Sequence, residues 1–510
     1  MDIKESFTEI ERAVGHLSPV QKFLLGTDGS VTHLLEAITG HPVAVATLLQ
    51  KVVPADAAAA ERLGIRAGES VNHRVVELKN ADTGEILMYA VSDTPLSRLS
   101  PEFKDDLMRA DIPIGKIISR HRIEARREIL SAKVTPAGDA TAPLFSIGRD
   151  EPLLSRDYRI IHKGDPLIYI TEQFPYNRFL DERRVVVETG SRIHLGLIDL
   201  HGGSGRVDGG IGIALSDPRV LLEARQSAGV DVTGCDEATT RLVKEIAART
   251  LAGIRAGAGV SVTLRSSYQS HAGLGSGSQL AIATAKAICE LYGRSLTVRE
   301  LARLTGRGGT SGIGTAAFET GGFIIDGGHR FGPDGEKKQF APSSASKGVR
   351  PAHVTVRHDF PPDWKVVLAI PDITKGASGG READIFLKYC PVPLDEVRAL
   401  CHEVLVRMLP GIVEHDLDLF GSSVNAIQSL GFKKVEHSLQ PKEMGGLLDA
   451  MRSAGAAGAG MSSFGPTLFA FCDTGVSGVE SAARSFMDGW CGGTTLVTAA
   501  KNSGAAIRVA

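Results

Sequence analysis

Two periods of hydrophobic and polar residues divide the chain. "VNHRVVELKN" (71–80), "EILMYAVSD" (85–93) and "PLIYITEQF" (166–174) are short, β-rich runs with apolar residues at alternate positions, and they predict strands. The period changes in "HAGLGSGSQLAIATAKAICELYG" (271–293), where Leu280, Thr284, Ala287, Ile288 and Leu291 recur at helical spacing and Gly293 falls where a C-terminal cap belongs. Residues 1–180 combine strand patterns with short helical ones and predict an α+β domain with an antiparallel sheet. From 181 to 510, glycine-dense loops separate short strands from alanine-rich helices, predicting a second α+β domain. Its three glycine clusters, at 271–278, 306–314 and 455–465, each adjoin a predicted helix or strand, an arrangement that suits one active-site cleft better than linkers. The stretch 332–350 reads as an exposed loop, and no solenoid-length repeat is present.

Composition narrows the function. Lys and Arg number 57 against 59 Asp and Glu, a formal net charge of −2, which argues against bulk binding to nucleic acid or an anionic membrane. Any anion specificity must be local. The six cysteines are scattered without a CxxC pair, the usage of reduced thiols in a cytoplasm. The start, "MDIKESFTEIERAV", is acidic and amphipathic rather than basic then apolar, and no run of about 18 apolar residues occurs, so the reading is of a cytoplasmic protein with no export signal.

The loop 271–278 leads into the predicted helix with Gly275, Ser276, Gly277 and Ser278, whose backbone N–H groups and positive helix end suit an anion. A tight packing turn would need the same small residues. The loop lacks the GK[ST] of a Walker motif and is not a clean GxGxxG. Arg192 and His194 offer groups for phosphate or carboxylate, and Asp199 and Asp208 offer carboxylates for magnesium. In a strand running from Arg192, Asp199 shares a face with Ile193, Leu195 and Leu197, so it needs a partner, an ion or a strand end. Arg307 with Thr310 and Ser311 predicts a second anion site at a helix start, against an ordinary Ser or Thr cap. Lys375 and Glu382 stand in a predicted loop-to-helix turn, where a solvated salt-bridge face is the duller reading.

Four segments in order, "RIHLGLIDLHGGSGRVDGGIGIAL" (192–215), "HAGLGSGSQLA" (271–281), "RGGTSGIGTAAFETGGFIIDGGH" (307–329) and "GAGMSSFGPTLFAF" (458–471), resemble β-ribofuranosylaminobenzene 5′-phosphate synthase. That resemblance implies a two-lobed fold of the galactokinase, homoserine kinase and mevalonate kinase superfamily over 181–510. It also implies condensation of 5-phosphoribosyl pyrophosphate with a para-substituted benzoate, releasing pyrophosphate and carbon dioxide, on the route to methanopterin-type C1 carriers. Carried over, Arg192, His194, Gly273, Leu274, Gly275, Ser276, Gly277, Ser278, Gln279, Arg307, Gly308, Thr310 and Ser311 bind substrate, and Asp199 and Asp208 act in catalysis, with Lys375 added as a substrate-binding candidate from its own loop-to-helix turn. Asp208 and Glu319 would hold Mg2+ or another divalent cation. An ATP-dependent small-molecule kinase of the same fold is the alternative.

In the first domain the strand period puts Arg74 with Val76 and Leu78, and Glu172 with Ile168, Ile170 and Phe174. A carboxyl among apolar neighbours titrates high, and two opposite charges on apolar faces invite pairing. "LLGTDGSVTHLLEAITGHPV" (24–43), "NHRVVEL" (72–78), "IPIGKII" (112–118) and "YITEQFP" (169–175) resemble chorismate pyruvate-lyase. By that resemblance Arg74 holds a chorismate carboxylate, Glu172 acts on the ether-oxygen side as acid or hydrogen-bond donor, Val31 and Ile114 line the pocket, and no cofactor is needed. Val31 stands where the bacterial lyases carry methionine and Ile114 where they carry leucine, changes of pocket shape more than of chemistry. The basic run "SRHRIEARR" (119–127) reads mainly as a solvated face that helps draw in a dianion. A non-catalytic aryl-acid sensor shares the fold and is the rival, though no helix-turn-helix accompanies it. The two resemblances together predict a bifunctional enzyme whose partners are small molecules (chorismate, 5-phosphoribosyl pyrophosphate, 4-hydroxybenzoate or 4-aminobenzoate), with no nucleic acid, no membrane, and a homodimer allowed.

Overall fold

The computed structural model describes residues 2–109, 112–346, 348–373 and 380–510, in two compact units. One comprises Met1–Glu182 with Gln226–Gly229 and Arg255–Gly259; the other comprises Arg183–Arg225, Val230–Ile254 and Val260–Ala510.

The alternating segments of the first unit form strands β1 (Val43–Pro54), β2 (Ser70–Asn80), β3 (Ile86–Pro95), β4 (Arg126–Pro136), β5 (Pro152–His162) and β6 (Asp165–Pro175). They make one antiparallel sheet in the order β1-β2-β3-β6-β5-β4. The register sets Arg74 opposite Ser92 and places both Ala90 and Arg156 opposite Glu172. Short helices bury Leu24, Leu25, Leu35, Phe103, Leu107 and Ile117. Ser18 caps the helix Pro19–Gly26 with a full capping box to Gln21, and Ser30 caps Val31–Thr39, fixing the entry of the chain to both helices.

In the second unit, β7 (Arg184–Asp199), β8 (Arg206–Ser227), β9 (Val230–Thr233), β10 (Gly259–Ser266), β11 (Phe323–Asp326), β12 (His329–Arg330) and β13 (Val354–His358) belong to an eight-stranded sheet. A four-stranded antiparallel sheet holds β14 (Lys365–Pro371), β15 (Gly458–Met461), β16 (Leu468–Cys472) and β17 (Gly493–Ala499), and β18 (Ala506–Val509) returns to pair with β7. The core joins the apolar face of the large sheet (Ile193, Leu195, Ile211, Ile213, Phe323) to an aromatic cluster of Phe360, Trp364, Phe420 and Phe471. Those rings meet largely edge to face, as between Phe360 and Trp364 at 5.3 Å and 84°.

The helix predicted from the glycine loop spans Ser276–Leu291, with Gly275 at its N-cap in the left-handed region (φ 79°). It is buried on nearly every side rather than along one stripe, because Ala281, Ala283, Ala285 and Ala287 keep it narrow between its neighbours. The alternation read from Arg192 is interrupted, and Asp199 meets the expectation of a strand end. Bulges at Thr189/Ser191 and His194/Gly196 shift the register of β7, and Asp199 reaches the strand end. There its Oδ1 accepts the backbone N–H groups of His201 (2.7 Å) and Gly202 (3.0 Å). The stretch 332–350 is not simply an exposed loop, because Lys337 within it is 3% exposed. Among the described residues no helix is long and apolar enough to cross a membrane.

Candidate active sites

In the first unit the sheet face and the helix starts enclose a cavity of about 70 Å³ lined by Val31, Arg74, Val76, Ile114, Arg127, Tyr158, Ile170 and Glu172, among others. All four residues nominated there, Arg74, Glu172, Val31 and Ile114, therefore face one space. Strand period explains this: Arg74, Val76 and Leu78 project from β2 and Ile170 and Glu172 from β6, on the same side of the sheet.

The expected pairing of Arg74 with Glu172 is not what forms. Arg74 donates to the Ile112 carbonyl (2.9 Å) and Thr47 Oγ1 (3.2 Å). Glu172 instead takes Arg156 Nε at 2.7 Å on one oxygen and the Tyr158 hydroxyl at 3.0 Å on the other. Both carboxylate oxygens thus serve as acceptors, which departs from the hydrogen-bond donor expected of this residue. Arg156 is 1% exposed. Burial opposes its charge, but Glu172 beside it outweighs that and holds its pKa above the ordinary arginine value. Burial, then the Glu172 charge, push the Tyr158 phenol well up, so its O–H stays a donor. Sequence reasoning missed Arg156 and Tyr158, while Arg127 belongs to the basic run 119–127 expected to help draw in a dianion. The signal for the first was its place in "LLSRDYRII", one strand away and directly opposite Glu172.

In the second unit all three glycine clusters converge on one cleft of about 410 Å³. Gly273, Gly275, Ser276, Gly277 and Ser278 line it from the first cluster; Arg307, Thr310 and Ser311 from the second; Ser463, Phe464 and Gly465 from the third. Gly273 (φ 87°) is irreplaceable on two counts, since a Cβ there would also lie 2.4 Å from the Ser462 carbonyl oxygen. The loop is tied down by Arg192 Nη1 and Ser462 Oγ, which donate to the Gly273 carbonyl at 2.5 and 2.7 Å. The first turn of the helix Ser276–Leu291 therefore presents backbone N–H groups to the cleft beside Arg192 and Arg307. Burial lowers the pKa of both arginines, and Arg307 Nε has no hydrogen-bond partner among the described residues. An anion would meet that need.

His194 lines the cleft but is not a cation. Burial, reinforced by Arg192 and Lys433, holds its pKa well below the usual histidine range. Its Nε2 lies 3.1 Å from Ser311 Oγ, which donates to Asp326 Oδ2 at 3.3 Å. Asp326 also receives the Gly312 and Gly328 amides, and burial pushes its pKa up to about 6.

Several nominated residues do not reach the cleft. Leu274 is part of the hydrophobic core. Gln279 is fully buried, bridging Thr189 Oγ1 (2.7 Å) and the Gly314 carbonyl (2.7 Å), so it anchors the helix rather than touching substrate. Gly308 packs against Pro351, and Asp199 closes its own turn. Asp208 is locked in a buried group with His329 Nδ1 (2.7 Å) and Lys337 Nζ (3.0 Å), and Glu319 is exposed at the end of the helix Ile313–Glu319. Neither carboxylate fits a metal ligand at this site, and among the described residues no three His, Cys, Asp or Glu are grouped to hold an ion. Lys375 lies outside the described residues. Glu436, Phe386 and Phe464, which line the cleft, were missed, and Glu382 lines it too.

Residues 25–180 match the family model described as chorismate pyruvate-lyase Rv2949c-like, 241–322 the GHMP kinases N terminal domain, and 408–489 the GHMP kinases C terminal domain. Over 328 residues the chain is 46% identical to the β-ribofuranosylphenol 5′-phosphate synthase of Methanothermobacter thermautotrophicus, covering 63% of this chain and 98% of that protein. It is 44% identical over 336 residues to the enzyme of the same name from Methanocaldococcus jannaschii, covering 63% of this chain and 99% of that protein. In the remaining part it is 27% identical over 166 residues to the chorismate pyruvate-lyase of Mycobacterium leprae, covering 32% of this chain and 77% of that protein. The homoserine kinase structure from Cytophaga hutchinsonii aligns with 64% of this chain and 98% of its own at 17% identity, with a TM-score of 0.45. The chain is an enzyme of the β-ribofuranosylphenol 5′-phosphate synthase family that carries a chorismate pyruvate-lyase-like domain before its synthase region.

Proposed function

We propose that the chain makes its own aryl acceptor and then ribosylates it: chorismate to 4-hydroxybenzoate and pyruvate in the first unit, then 4-hydroxybenzoate and 5-phosphoribosyl pyrophosphate to a ribofuranosylphenol 5′-phosphate in the second. The observation that carries this reading is the presence of a separate cavity in each unit, one walled by strand-borne arginines and a carboxylate, the other by amide-rich loops. The "phenol" in the names of the synthase relatives favours the hydroxy acid over 4-aminobenzoate as acceptor.

In the first reaction the ether C–O bond of chorismate breaks, the neighbouring ring C–H is lost, and the ring becomes aromatic while the departing enolpyruvate gains a proton. Chorismate carries two carboxylates. Arg74 holds one, and Arg127, on the same cavity wall, is placed for the other. Glu172 is fixed by Arg156, and the Tyr158 hydroxyl is the O–H at that end of the cavity that can be shared with the departing oxygen.

In the second reaction the bond from ribose C1 to pyrophosphate breaks as the carboxyl-bearing ring carbon attacks. Carbon dioxide then leaves and aromaticity returns. No protein nucleophile is needed, so amides at Gly273–Ser278 and the Arg192 and Arg307 guanidiniums act by holding phosphate oxygens as charge builds on the leaving group. A divalent cation would offset charge on the departing pyrophosphate and would be brought in with that substrate, since Asp208 is paired with Lys337 and Glu319 is exposed.

Incubating the protein with chorismate, 5-phosphoribosyl pyrophosphate and magnesium should yield pyruvate, carbon dioxide and pyrophosphate. Absence of pyruvate eliminates the first half, and absence of carbon dioxide the second. Formation of ADP from ATP with the pyrophosphate donor left intact would replace the second half with a kinase.

A further inference from the structure

The synthase cleft is lined by two chemically different groups of residues. One gathers the amides of Gly273–Ser278 with Arg192 and Arg307. The other joins Leu197, Phe386 and Phe464, members of one hydrophobic cluster, with Glu382 and Glu436. Its construction is specific. Glu382 and Phe386 are four residues apart on the helix Gly380–Tyr389, and Phe432 and Glu436 four apart on Gly431–Ser438, so each helix shows a Phe and a Glu on one face. The two phenyl rings meet at 4.7 Å. Glu436 is ion-paired with Lys433, whose Nζ also holds the Met461 (3.0 Å) and Ser463 (3.3 Å) carbonyls of the third glycine cluster. Glu382 has no hydrogen-bond or ion-pair partner among the described residues.

We propose that this apolar group forms the aryl-acceptor subsite and that Glu382 takes the proton of the acceptor's para-hydroxyl as the carbon–carbon bond forms. The proposal rests on the reading of the second reaction given above. In a para-substituted benzoate the attacking carbon and the hydroxyl lie at opposite ends of the ring. With the attacking carbon toward the ribose beside the amides, the hydroxyl points between the phenylalanines to Glu382. Electrons balance: the O–H pair moves into the ring, the ring carbon bonds to ribose C1, the C1–O bond releases pyrophosphate, and the proton passes to the Glu382 carboxylate. Loss of carbon dioxide returns its bonding pair to the ring, and Glu382 gives the proton back to the phenolic oxygen.

The charged and titratable groups around Glu382 suit that task. Glu436, itself paired with Lys433, is the charged neighbour of Glu382 from the helix Gly431–Ser438, and Arg192, His194 and Arg307 also line the cleft. Burial, then the charge of Glu436, push Glu382 up to about 7, near the working pH of a general base.

The test compares 4-hydroxybenzoate with 4-aminobenzoate, because a para-amine donates its lone pair without first surrendering a proton. Glu382→Gln should lower kcat with 4-hydroxybenzoate about 10²-fold or more, the scale of a lost general base. With 4-aminobenzoate it should change little, and KM for 5-phosphoribosyl pyrophosphate should hold. The wild-type rate with the hydroxy acid should rise with pH through about 7, as Glu382 loses its proton, and that limb should vanish in Glu382→Gln and return in Glu382→Asp. Phe386→Leu should raise KM for both benzoates and leave that for the pyrophosphate donor unchanged. Equal loss with both acceptors, a raised magnesium requirement, or no loss in a variant that melts like wild type would overturn the assignment. A wild-type protein that ribosylates neither acceptor would overturn the underlying reading instead.

Discussion

The two cavities are walled in opposite ways. In the first unit, charged side chains stand on strands of one sheet, and Glu172 is held by its buried neighbours Arg156 and Tyr158. In the second, three loops bring backbone amides and glycines together, and side chains such as Arg192 serve partly to fasten the loop that binds. The sizes match the division. A 70 Å³ cavity is well under the roughly 300 Å³ typical of a ligand pocket, so a chorismate ring enters only if its walls part, whereas the 410 Å³ cleft is already of ligand size. A strand-built site is sensitive to the identity of single side chains; a loop-built site is sensitive to the absence of side chains.

That contrast predicts its own largest effects. Glu172→Gln should cut pyruvate release about 10³-fold or more, and it should also weaken the first unit by about 3–5 kcal/mol because the Arg156 charge is left buried without its partner. Tyr158→Phe keeps the packing and removes only the hydroxyl, so its smaller loss of rate would separate chemistry from folding. In the other unit, Gly273→Ala should reduce aryl riboside formation about 10²-fold, the cost of misplacing a binding loop by an ångström. Pyruvate and carbon dioxide assays on the same samples should show each variant silencing one reaction and sparing the other. Loss of both reactions in either variant would break the comparison.

The same contrast explains what could be read from the residues alone. Arg74 and Glu172 were legible because a strand fixes side-chain direction every second residue, and Val31 and Ile114 followed from motif resemblance. Their true partners were not, because Arg156 opposite Glu172 depends on which strands pair, and the order β3-β6-β5 is a long-range fact. In the second unit the convergence of three glycine clusters was legible from composition, and so was the helix Ser276–Leu291. The roles of individual carboxylates were not. Two bulges in β7 carried Asp199 to a strand end, and Lys337, from a stretch that reads as solvent-exposed, came inside to neutralise Asp208. Glu436 and Phe386 sit on unremarkable amphipathic helices, and only the fold shows that these face one cleft.

Asp208 gives the next test in size. With His329 and Lys337 it forms a buried charged group, and burial already pulls the Lys337 pKa down against the carboxylate's attraction. Asp208→Asn should therefore destabilise the second unit by about 3–5 kcal/mol, read as a fall in its melting transition, by stranding a buried ammonium. The magnesium dependence of the remaining activity should be unchanged. Double replacement with Lys337→Met should recover part of the loss, since removing both charges removes the stranded one. A shifted magnesium curve in protein that melts normally would return Asp208 to the metal.

The smallest effect belongs to Glu319, and its smallness is informative. The side chain is exposed and stands at the C-terminal end of the helix Ile313–Glu319, where the partial negative charge of the helix end meets a negative residue. Glu319→Gln removes that repulsion, so stability should stay level or rise by no more than about 0.5 kcal/mol. Ribosylation should proceed at the wild-type rate with an identical magnesium titration, because among the described residues Glu319 belongs to no group of His, Cys, Asp or Glu that could hold an ion. A raised magnesium requirement in Glu319→Gln would contradict a loop-built site that relies on substrate phosphate for its metal. It would make the second unit, like the first, a site governed by individual side chains.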